Sequence, residues 1–277
     1  MNLFKPFSLG TNLFKGYSLE DALDLVKEAK FEYAELSSIV NMCEHIDPKL
    51  ITREYAMEVK GMMERKGLKC YAVSGHVDLT EEDQFQDFLK KIEFSGLIGA
   101  KIINTNSGPA SRLDIFKKNM SRIIETAEKW NVVIGLESHG DIVSTARESL
   151  EVFRYFNHPL VRLNYDTGNT LFYGNGRINI EEDIKYGLEF LEHIHLKDII
   201  ISGQNVEYCP IGDGDVNFPA VFDVLKQMER LIPCGLEIPV HVKGVLGAIK
   251  PTNTPMPKSE ALEAVERSVK YVNSLLP

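Results

Sequence analysis

Short apolar runs alternate with longer amphipathic stretches along the whole chain, and this alternation restricts the fold more than any other feature. Near-continuous apolar runs are typical of strands that are buried on both faces of a parallel sheet. Stretches with an apolar residue every three or four positions are typical of helices that cover such a sheet, and examples occur at 18–30 and 143–156. Eight strand-like runs can be counted, at residues 7–12, 33–37, 68–75, 100–107, 132–138, 161–166, 192–197 and 234–239.

Eight such units in 277 residues predict a single (β/α)8 TIM barrel in the α/β class. One βα unit takes roughly 35 residues, and a whole barrel usually takes roughly 250. A doubly wound open sheet is the alternative, but no GxGxxG motif follows the first run. We expect one barrel domain over residues 1–277, with a long loop at 240–257 over the barrel mouth and a C-terminal helix at 259–275.

Composition argues against several classes of protein. The net charge of −9 disfavours binding to nucleic acid, because the phosphate backbone is also negative. No apolar run approaches the roughly 20 residues that span a bilayer, and the N-terminal residues show no secretion signal. The cysteines form no CxxC motif and are typical of free thiols in a reducing compartment. We therefore expect a cytoplasmic protein with neither a membrane nor a nucleic-acid partner.

Carboxylate and imidazole side chains occur where the apolar runs end. Glu137 lies at the end of the fifth run, Asp166 ends the sixth, His195 lies in the seventh and Glu237 in the eighth. In a barrel, the C-terminal ends of the strands converge on one site. Three carboxylates at a partly buried mouth repel one another unless a cation compensates their charge. The sequence therefore predicts one bound divalent metal ion at this mouth.

The ligand types restrict the identity of the metal. A set of carboxylates with one imidazole favours Mn²⁺ or Mg²⁺, and Co²⁺, Fe²⁺ or Zn²⁺ can substitute. Cys234 is close in sequence to Glu237, but an offset of three residues in a strand points its side chain to the opposite face. The prediction is therefore an oxygen-rich site without thiolate ligands.

Five motifs at the ends of the later runs give the chain a resemblance to a known group. They occur in order and resemble those of the xylose isomerase-like barrel superfamily, in its sugar phosphate isomerase/epimerase branch. The resemblance extends from the first run to the last helix. The motifs are LESHGD at 136–141, NYDTGN at 164–169, HIHLKD at 193–198, IGDGDVNF at 211–218 and GLEIP at 235–239.

The resemblance implies metal ligation by Glu137, Asp166, His195 and Glu237. Strand alternation alone cannot choose between His193 and His195, because both point to the same side. The H-x-H-x-K-D pattern of the superfamily selects His195. His193 is then a candidate for supporting the site from outside the ligand set.

The superfamily includes several reactions, and the sequence disfavours two of them. Endonuclease IV-type repair enzymes bind three zinc ions and need a histidine at the position of Asn169, as well as one in the stretch NVEYCPIGDG. Free-ketose 3-epimerases carry a second glutamate and an arginine where this chain has Val143 and Ile201. Isomerases and epimerases of other sugars or sugar phosphates remain. So do lyases, including inosose and 3-dehydroshikimate dehydratases and enzymes that eliminate an aglycone from a 3-oxo-glycoside.

The chemistry that these enzymes share is removal of a proton from carbon beside a carbonyl. The metal acts as a Lewis acid that stabilises the resulting enediolate. For an isomerase or epimerase, which is the favoured interpretation, Glu137 and Glu237 are the two proton-transfer groups. For a lyase, His139 and Lys197 are the candidates for the base and for the group that protonates or stabilises a developing oxyanion.

The remaining polar residues near the predicted mouth are candidates for substrate binding. We expect a sugar-like small molecule to contact His76, Asn106, Asn169 and His241. A phosphate group, where the substrate has one, could be held by the 240–257 loop or by backbone N–H groups at 212–214. Homo-oligomerisation and a partner subunit both stay open at this point, and a non-catalytic binding protein is not favoured.

Overall fold

The computed structural model describes residues 3–252 and 254–276, and their centre is a closed barrel of parallel strands. Each strand pairs with its two neighbours, and the barrel closes because β1 pairs with both β11 and β2. The predicted (β/α)8 barrel is therefore confirmed. In order around the barrel, its strands are β1 Phe4–Gly10, β2 Tyr33–Ile39, β4 Lys69–Ser74, β5 Ile102–Thr105, β6 Val133–Glu137, β7 Val161–Asp166, β8 Leu191–Leu196 and β11 Ile232–Leu236.

Helices connect successive barrel strands and cover the outside of the barrel. No helix in 3–252 or 254–276 is long and apolar enough to cross a membrane. In chain order the helices are α1 Leu19–Glu28, α2 Arg53–Arg65, α3 Glu82–Ile98, α4 Leu113–Trp130, α5 Leu150–Phe156, α6 Thr167–Tyr173, α7 Ile180–Gly187, α8 Phe218–Leu225 and α9 Lys258–Leu275.

Helix α1 shows how the sequence pattern produces one of these units. The side chain of Ser18 accepts a hydrogen bond from the backbone N–H of Asp21, which satisfies one free donor at the start of the helix. Ala22, Leu23 and Val26 lie on one face and are completely buried against the barrel. Burying each of the larger side chains stabilises the fold by about 1.5–3 kcal/mol. The apolar stripe thus fixes the face that the helix turns to the sheet.

A small antiparallel sheet lies beside the barrel mouth, and the sequence pattern did not reveal it. Its strands are β9 Asp198–Ser202, β10 Asn205–Cys209, β12 Val242–Val245 and β13 Ala248–Pro251. The segment 240–257, expected to be a long loop, thus contains two strands. They form a hairpin because Gly247 adopts a φ of +83° at the turn, and the β12 strand then pairs with β10. A further strand, β3 Cys43–Glu44, pairs with the end of β2.

The segment after β6 also differs from the expected helix at 143–156. Only Leu150–Phe156 is helical. The preceding backbone N–H groups bond to side chains from other elements, such as Ser107 to Val143 and Asp183 to Ala146. Because those donors are taken by side chains, the local chain forms an irregular connection in place of helical turns.

Two glycines, one at the end of α3 and one inside α2, provide a test of this description. Gly99 ends α3 with a φ of +89°, and a Cβ there would meet nothing within 4 Å. Gly99→Ala should therefore destabilise by the cost of the left-handed conformation alone, about 1–2 kcal/mol. Gly61→Ala, inside α2, should stabilise by up to about 1 kcal/mol because alanine favours helix. The measurement is the urea midpoint of each variant, and shifts of the same sign would contradict this account.

Candidate metal and active site

Four side chains from consecutive strands of the barrel converge at its mouth. Glu137 ends β6, Asp166 ends β7, His195 lies in β8 and Glu237 directly follows β11. One ligand atom from each lies within 4.8 Å of the others, and all four residues are buried. The structure therefore brings together the residues that the sequence marks as a metal-binding set.

The Nδ1 atom of His195 lies at the centre of this cluster. It is 2.8 Å from Oε2 of Glu137, 3.1 Å from Oε2 of Glu237 and 3.7 Å from Oδ2 of Asp166. The other candidate, His193, lies aside, with its Nδ1 atom 2.9 Å from Oδ1 of Asn164. The geometry thus places His195, and not His193, among the carboxylates.

Two carboxylate oxygens in the cluster lack a hydrogen bond, which tests whether a cation fits. Oδ2 of Asp166 and Oε2 of Glu237 are buried and accept no hydrogen bond from any described residue. The ammonium of Lys197 lies 2.7 Å and 3.0 Å from these two oxygens, at ion-pair distances. Lys197 supplies one positive charge beside three buried carboxylates, and burying such a group is costly without further positive charge. The donor set therefore fits a divalent metal ion ligated by oxygen atoms and one imidazole.

The electrostatics of the cluster show how strongly the carboxylates act on their neighbours. Burial opposes ionisation of Glu137, but His76 and His195 hold the pKa of that carboxyl well below its usual range. Burial raises the pKa of Asp166, even with Lys197 beside it. Burial disfavours charge on Lys197, yet Asp166 and other carboxylates hold its pKa well above normal. The mouth therefore concentrates negative charge that requires positive partners.

Glu35, which was not predicted as a site residue, lies on the opposite side of the His195 ring from Glu137 and Glu237 and supports the ring. Its Oε1 atom lies 2.8 Å from Nε2 of His195 and accepts hydrogen bonds from Ser74 and Asn104, each at 3.0 Å. Burial would raise the pKa of Glu35, but the charges of His195 and His193 lower it to about 2. A carboxylate on the far nitrogen of a ligating histidine fixes the ring and raises its basicity. The sequence signal that points to Glu35 is its position as a single glutamate within an apolar strand.

Amide and imidazole donors hold the two glutamates in place. Glu137 accepts hydrogen bonds from Asn164 at 2.7 Å and from Asn169 at 2.8 Å, and Nε2 of His76 lies 2.9 Å from its Oε2. Oε1 of Glu237 accepts one from Asn12 at 2.8 Å. Asn12 and Asn164 were not predicted, because neither interrupts its apolar run as clearly as a charged residue does. His76 and Asn169, expected to contact substrate, also orient Glu137.

A cavity of about 240 Å³ opens directly above the carboxylates. Seven of the eight expected substrate or catalytic residues line it, but His241 is not among the lining residues, although it is buried. His139 lies in the wall, where its Nε2 atom is 3.2 Å from the hydroxyl of Tyr173. The lining residues are Ile39, Met42, His76, Asn106, Glu137, His139, Asn169, Lys197, Tyr208, Glu237, Pro239, Val242 and Ile249.

The glycine-rich segment at 212–214 does not offer its N–H groups to a ligand. The buried carboxylate of Asp198 accepts hydrogen bonds from Gly212 at 2.8 Å, from Gly214 at 2.9 Å and from Val216 at 3.2 Å. The expectation that these N–H groups could hold a phosphate is therefore wrong. The side chain of Asp198, the first residue of β9, already accepts the hydrogen bonds of Gly212 and Gly214 and fixes the loop.

Curated relatives include both of the reaction types that the sequence left open. An inosose dehydratase from Mesomycoplasma hyopneumoniae (strain J) is 25% identical over 251 residues, covering 75% of this chain and 77% of that protein. An L-ribulose-5-phosphate 3-epimerase, UlaE, from Escherichia coli O1:K1 / APEC is 22% identical and covers the same shares. An uncharacterized protein, MJ1311, from Methanocaldococcus jannaschii is 28% identical over 120 residues, and the match spans 42% of this chain and only 40% of that protein.

Solved structures with the same fold cover almost the whole chain. A D-allulose 3-epimerase from Methylomonas sp. superposes with a TM-score of 0.72 at 18% identity, covering 100% of this chain and 99% of that one. A xylose isomerase-like TIM barrel protein from Mycobacterium smegmatis, solved in complex with magnesium, gives 0.71 at 14% identity, with coverages of 95% and 92%. At these identities the structures show the fold alone.

The family comparison is decisive because it covers most of the chain. The profile of the family described as xylose isomerase-like TIM barrel matches residues 23–270. That range includes the four converging side chains and seven of the eight barrel strands. The chain therefore belongs to the xylose isomerase-like TIM barrel family.

Proposed function

We propose that this protein is a divalent-metal-dependent isomerase or epimerase of a sugar-like substrate that moves a proton at carbon through an enediolate. One observation carries the proposal. Glu137 and Glu237 lie on strands separated by β7 and β8, and both direct a buried carboxylate oxygen to the same space beside Nδ1 of His195. Two carboxylates that face one cavity from different sides suit proton removal on one face and proton return on the other.

The proposed ligands are Glu137, Asp166, His195 and Glu237, and the proposed ion is Mn²⁺ or Mg²⁺. A bound divalent ion supplies Lewis-acid stabilisation of the negative charge that develops when a proton leaves carbon beside a carbonyl. Oδ2 of Asp166 and Oε2 of Glu237, which accept no hydrogen bond from a described residue, support this assignment. The carboxylate-rich ligand set supports a hard cation over a thiophilic one.

The other residues of the site bind, orient and hold protons. Asn164 and Asn169 fix the carboxylate of Glu137, which takes a proton from the substrate. Asn12 holds Oε1 of Glu237, and Oε2 is the oxygen that would deliver a proton from the other side. His76 and Asn106 line the cavity with ring and amide atoms that have no partner among the described residues, and these atoms suit substrate hydroxyls.

Elimination is the second candidate, because a buried ammonium lies beside the proposed bases. Lys197 lines the cavity, and its Nζ atom is 3.1 Å from Oδ1 of Asn169. A fixed cation there would stabilise the oxyanion that forms as a β-leaving group departs. His139, also in the wall, is the candidate acid or base for that route. The relatives named above include one dehydratase and one epimerase, so an experiment must decide between elimination and isomerisation.

The decisive experiment begins with the metal content of the purified protein. The protein is then stripped with a chelator, reloaded with Mn²⁺ and incubated in D₂O with ketoses, sugar phosphates, keto-cyclitols and 3-oxo-glycosides. We expect about one ion per chain and metal-dependent deuterium incorporation beside the carbonyl without loss of a group. Incorporation with release of water or an aglycone would establish the lyase instead. Absence of metal after reloading would overturn the whole assignment.

Removing either proposed base should abolish turnover without unfolding the barrel. Glu137→Gln and Glu237→Gln should each lower kcat by about 10²–10⁴-fold or more, because each removes a proton-transfer group. The matched control is Glu58→Gln, an exposed position on α2, which should keep full activity. Circular dichroism checks the fold. Full activity in either site variant would exclude the proposed roles.

Glu35 should control the affinity of the metal through His195. Glu35→Gln removes the negative charge from the far side of the ring and should weaken Mn²⁺ binding by about 10–100-fold. Calorimetry of the stripped protein gives the dissociation constant, and the rise in Tm on adding Mn²⁺ gives an independent check. Glu32→Gln, an exposed residue just before β2, is the control. An unchanged dissociation constant in Glu35→Gln would show that Glu35 is only a packing residue.

A further inference from the structure

Lys91 is a buried lysine that the proposed chemistry does not use. It lies on α3, outside the barrel strands, and its side chain is completely buried. Its ammonium donates hydrogen bonds to two backbone carbonyl oxygens, at 2.6 Å to Ser38 and at 3.2 Å to Gly75. Neither acceptor carries a full charge. Burial lowers the pKa of Lys91 to about 8, although the charges of Asp87 and Glu44 oppose this.

Packing alone does not account for a charged group at this position. An apolar side chain of similar length would fill the same space without the cost of burying an ammonium. The stem of Lys91 passes close beside Gly75, where a Cβ would lie 3.5 Å from Cδ of Lys91 and 2.7 Å from Cδ1 of Ile103. This close packing fixes the point that the ammonium reaches. The two hydrogen bonds, and not the volume of the stem, therefore explain the charge.

The two carbonyl groups lie where β2 and β4 separate. The parallel ladder between these strands ends one residue earlier, and Ser38 then pairs with β3. Gly75 stays beside β5 and donates its N–H to the carbonyl of Asn104 at 2.8 Å. Lys91 thus joins two strand ends that the ladder no longer joins.

Both strand ends continue into the wall of the cavity. His76 follows Gly75 and lines the cavity, and Ile39 lines it from the β2 side. The carbonyl of Gly75 belongs to the same planar peptide unit as the N–H of His76, so a bond to that oxygen restricts the backbone of His76. Nε2 of His76 in turn lies 2.9 Å from Oε2 of Glu137.

We propose that Lys91 is a positioning residue, which holds the ends of β2 and β4 at a fixed separation and thereby keeps His76 against Glu137. This proposal rests on the proposed function, in which Glu137 moves a proton. Lys91 neither lines the cavity nor belongs to the proposed ligand set, so it acts only through His76. A displacement of about 1 Å at a reacting group can lower turnover by about 100-fold, which makes such a remote support effective.

The first test removes the two donors and keeps the length of the side chain. In Lys91→Met, we expect kcat/KM of the Mn²⁺-loaded protein to fall by about 10–100-fold, mainly through kcat, with the compound of the panel above that exchanges deuterium. The dissociation constant of Mn²⁺ should change less than in Glu35→Gln, because Lys91 bonds to no ligand. Circular dichroism checks the fold. The matched control is Lys90→Met, whose exposed ammonium pairs with Asp87 at 2.8 Å, and it should keep wild-type kcat/KM. A lower Tm with unchanged kcat/KM in Lys91→Met would overturn the proposal.

A double-mutant cycle separates positioning of His76 from a general loosening of the fold. Once His76→Ala has removed the ring, Lys91→Met should cost little more. We expect kcat/KM of the double variant to lie within about threefold of the value for His76→Ala alone. Full additivity of the two losses would show that Lys91 does not act through His76. Should Lys91→Met fail to fold, Lys91→Gln, which keeps an N–H₂ donor group on a shorter side chain, takes its place in the cycle.

An NMR measurement that needs no turnover separates failure of this proposal from failure of the proposed function. The metal-free protein is labelled with ¹⁵N-histidine, and the signals of His76 are identified by their loss in His76→Ala. In Lys91→Met, the ring nitrogen signals of His76 should shift, whereas those of His158, a partly exposed residue after α5, should not. Unchanged His76 signals would overturn the proposal. When no compound turns over with the wild-type protein, the proposed function fails, and the NMR result alone decides whether Lys91 positions His76.

Discussion

The mutual repulsion of three buried carboxylates at the barrel mouth is the constraint on which the rest of the site depends. Glu137, Asp166 and Glu237 are brought within 4.8 Å of one another by the strands that carry them. Such a group is tolerated only with compensating positive charge. His195 and Lys197 supply part of it, and two oxygens still lack hydrogen bonds. The fold thus accepts an unfavourable local arrangement that the proposed divalent cation would relieve.

The barrel can maintain this arrangement because the buried polar side chains beneath the mouth are hydrogen-bonded to one another. Glu35 receives hydrogen bonds from Ser74 and Asn104 and holds His195. Asn164 links Glu137 to His193. Buried polar groups that are satisfied in this way rigidify their surroundings. The geometry of the cluster is therefore set by strands on several sides of the barrel, and not by the flexible ends of single side chains.

The alternation of apolar runs was sufficient to predict the barrel, because strands buried on both faces give a continuous pattern. The same logic placed Glu137, Asp166 and Glu237 together with the histidines of β8, since barrel strands end at one mouth, and the family resemblance selected His195. It could not assign a role to Glu35 or Asn12, because those roles depend on which strands become neighbours. It also missed the small sheet, whose strands β9, β10, β12 and β13 are short and lie on a surface where polar and apolar residues mix.

The small sheet supplies a part of the cavity wall that the barrel strands do not. The carboxylates at the base of the cavity lie on barrel strands, or directly after one, and the ends of these strands meet at one mouth. Part of the cavity wall comes from segments after β8 and β11, and such connecting segments can vary without disturbing the barrel. In this chain those segments place Tyr208, Val242 and Ile249 above the carboxylates and turn their lysines outward. The proposed proton-transfer groups and this part of the cavity wall therefore lie on separate elements, so a change in the hairpin should leave the converging carboxylates in place.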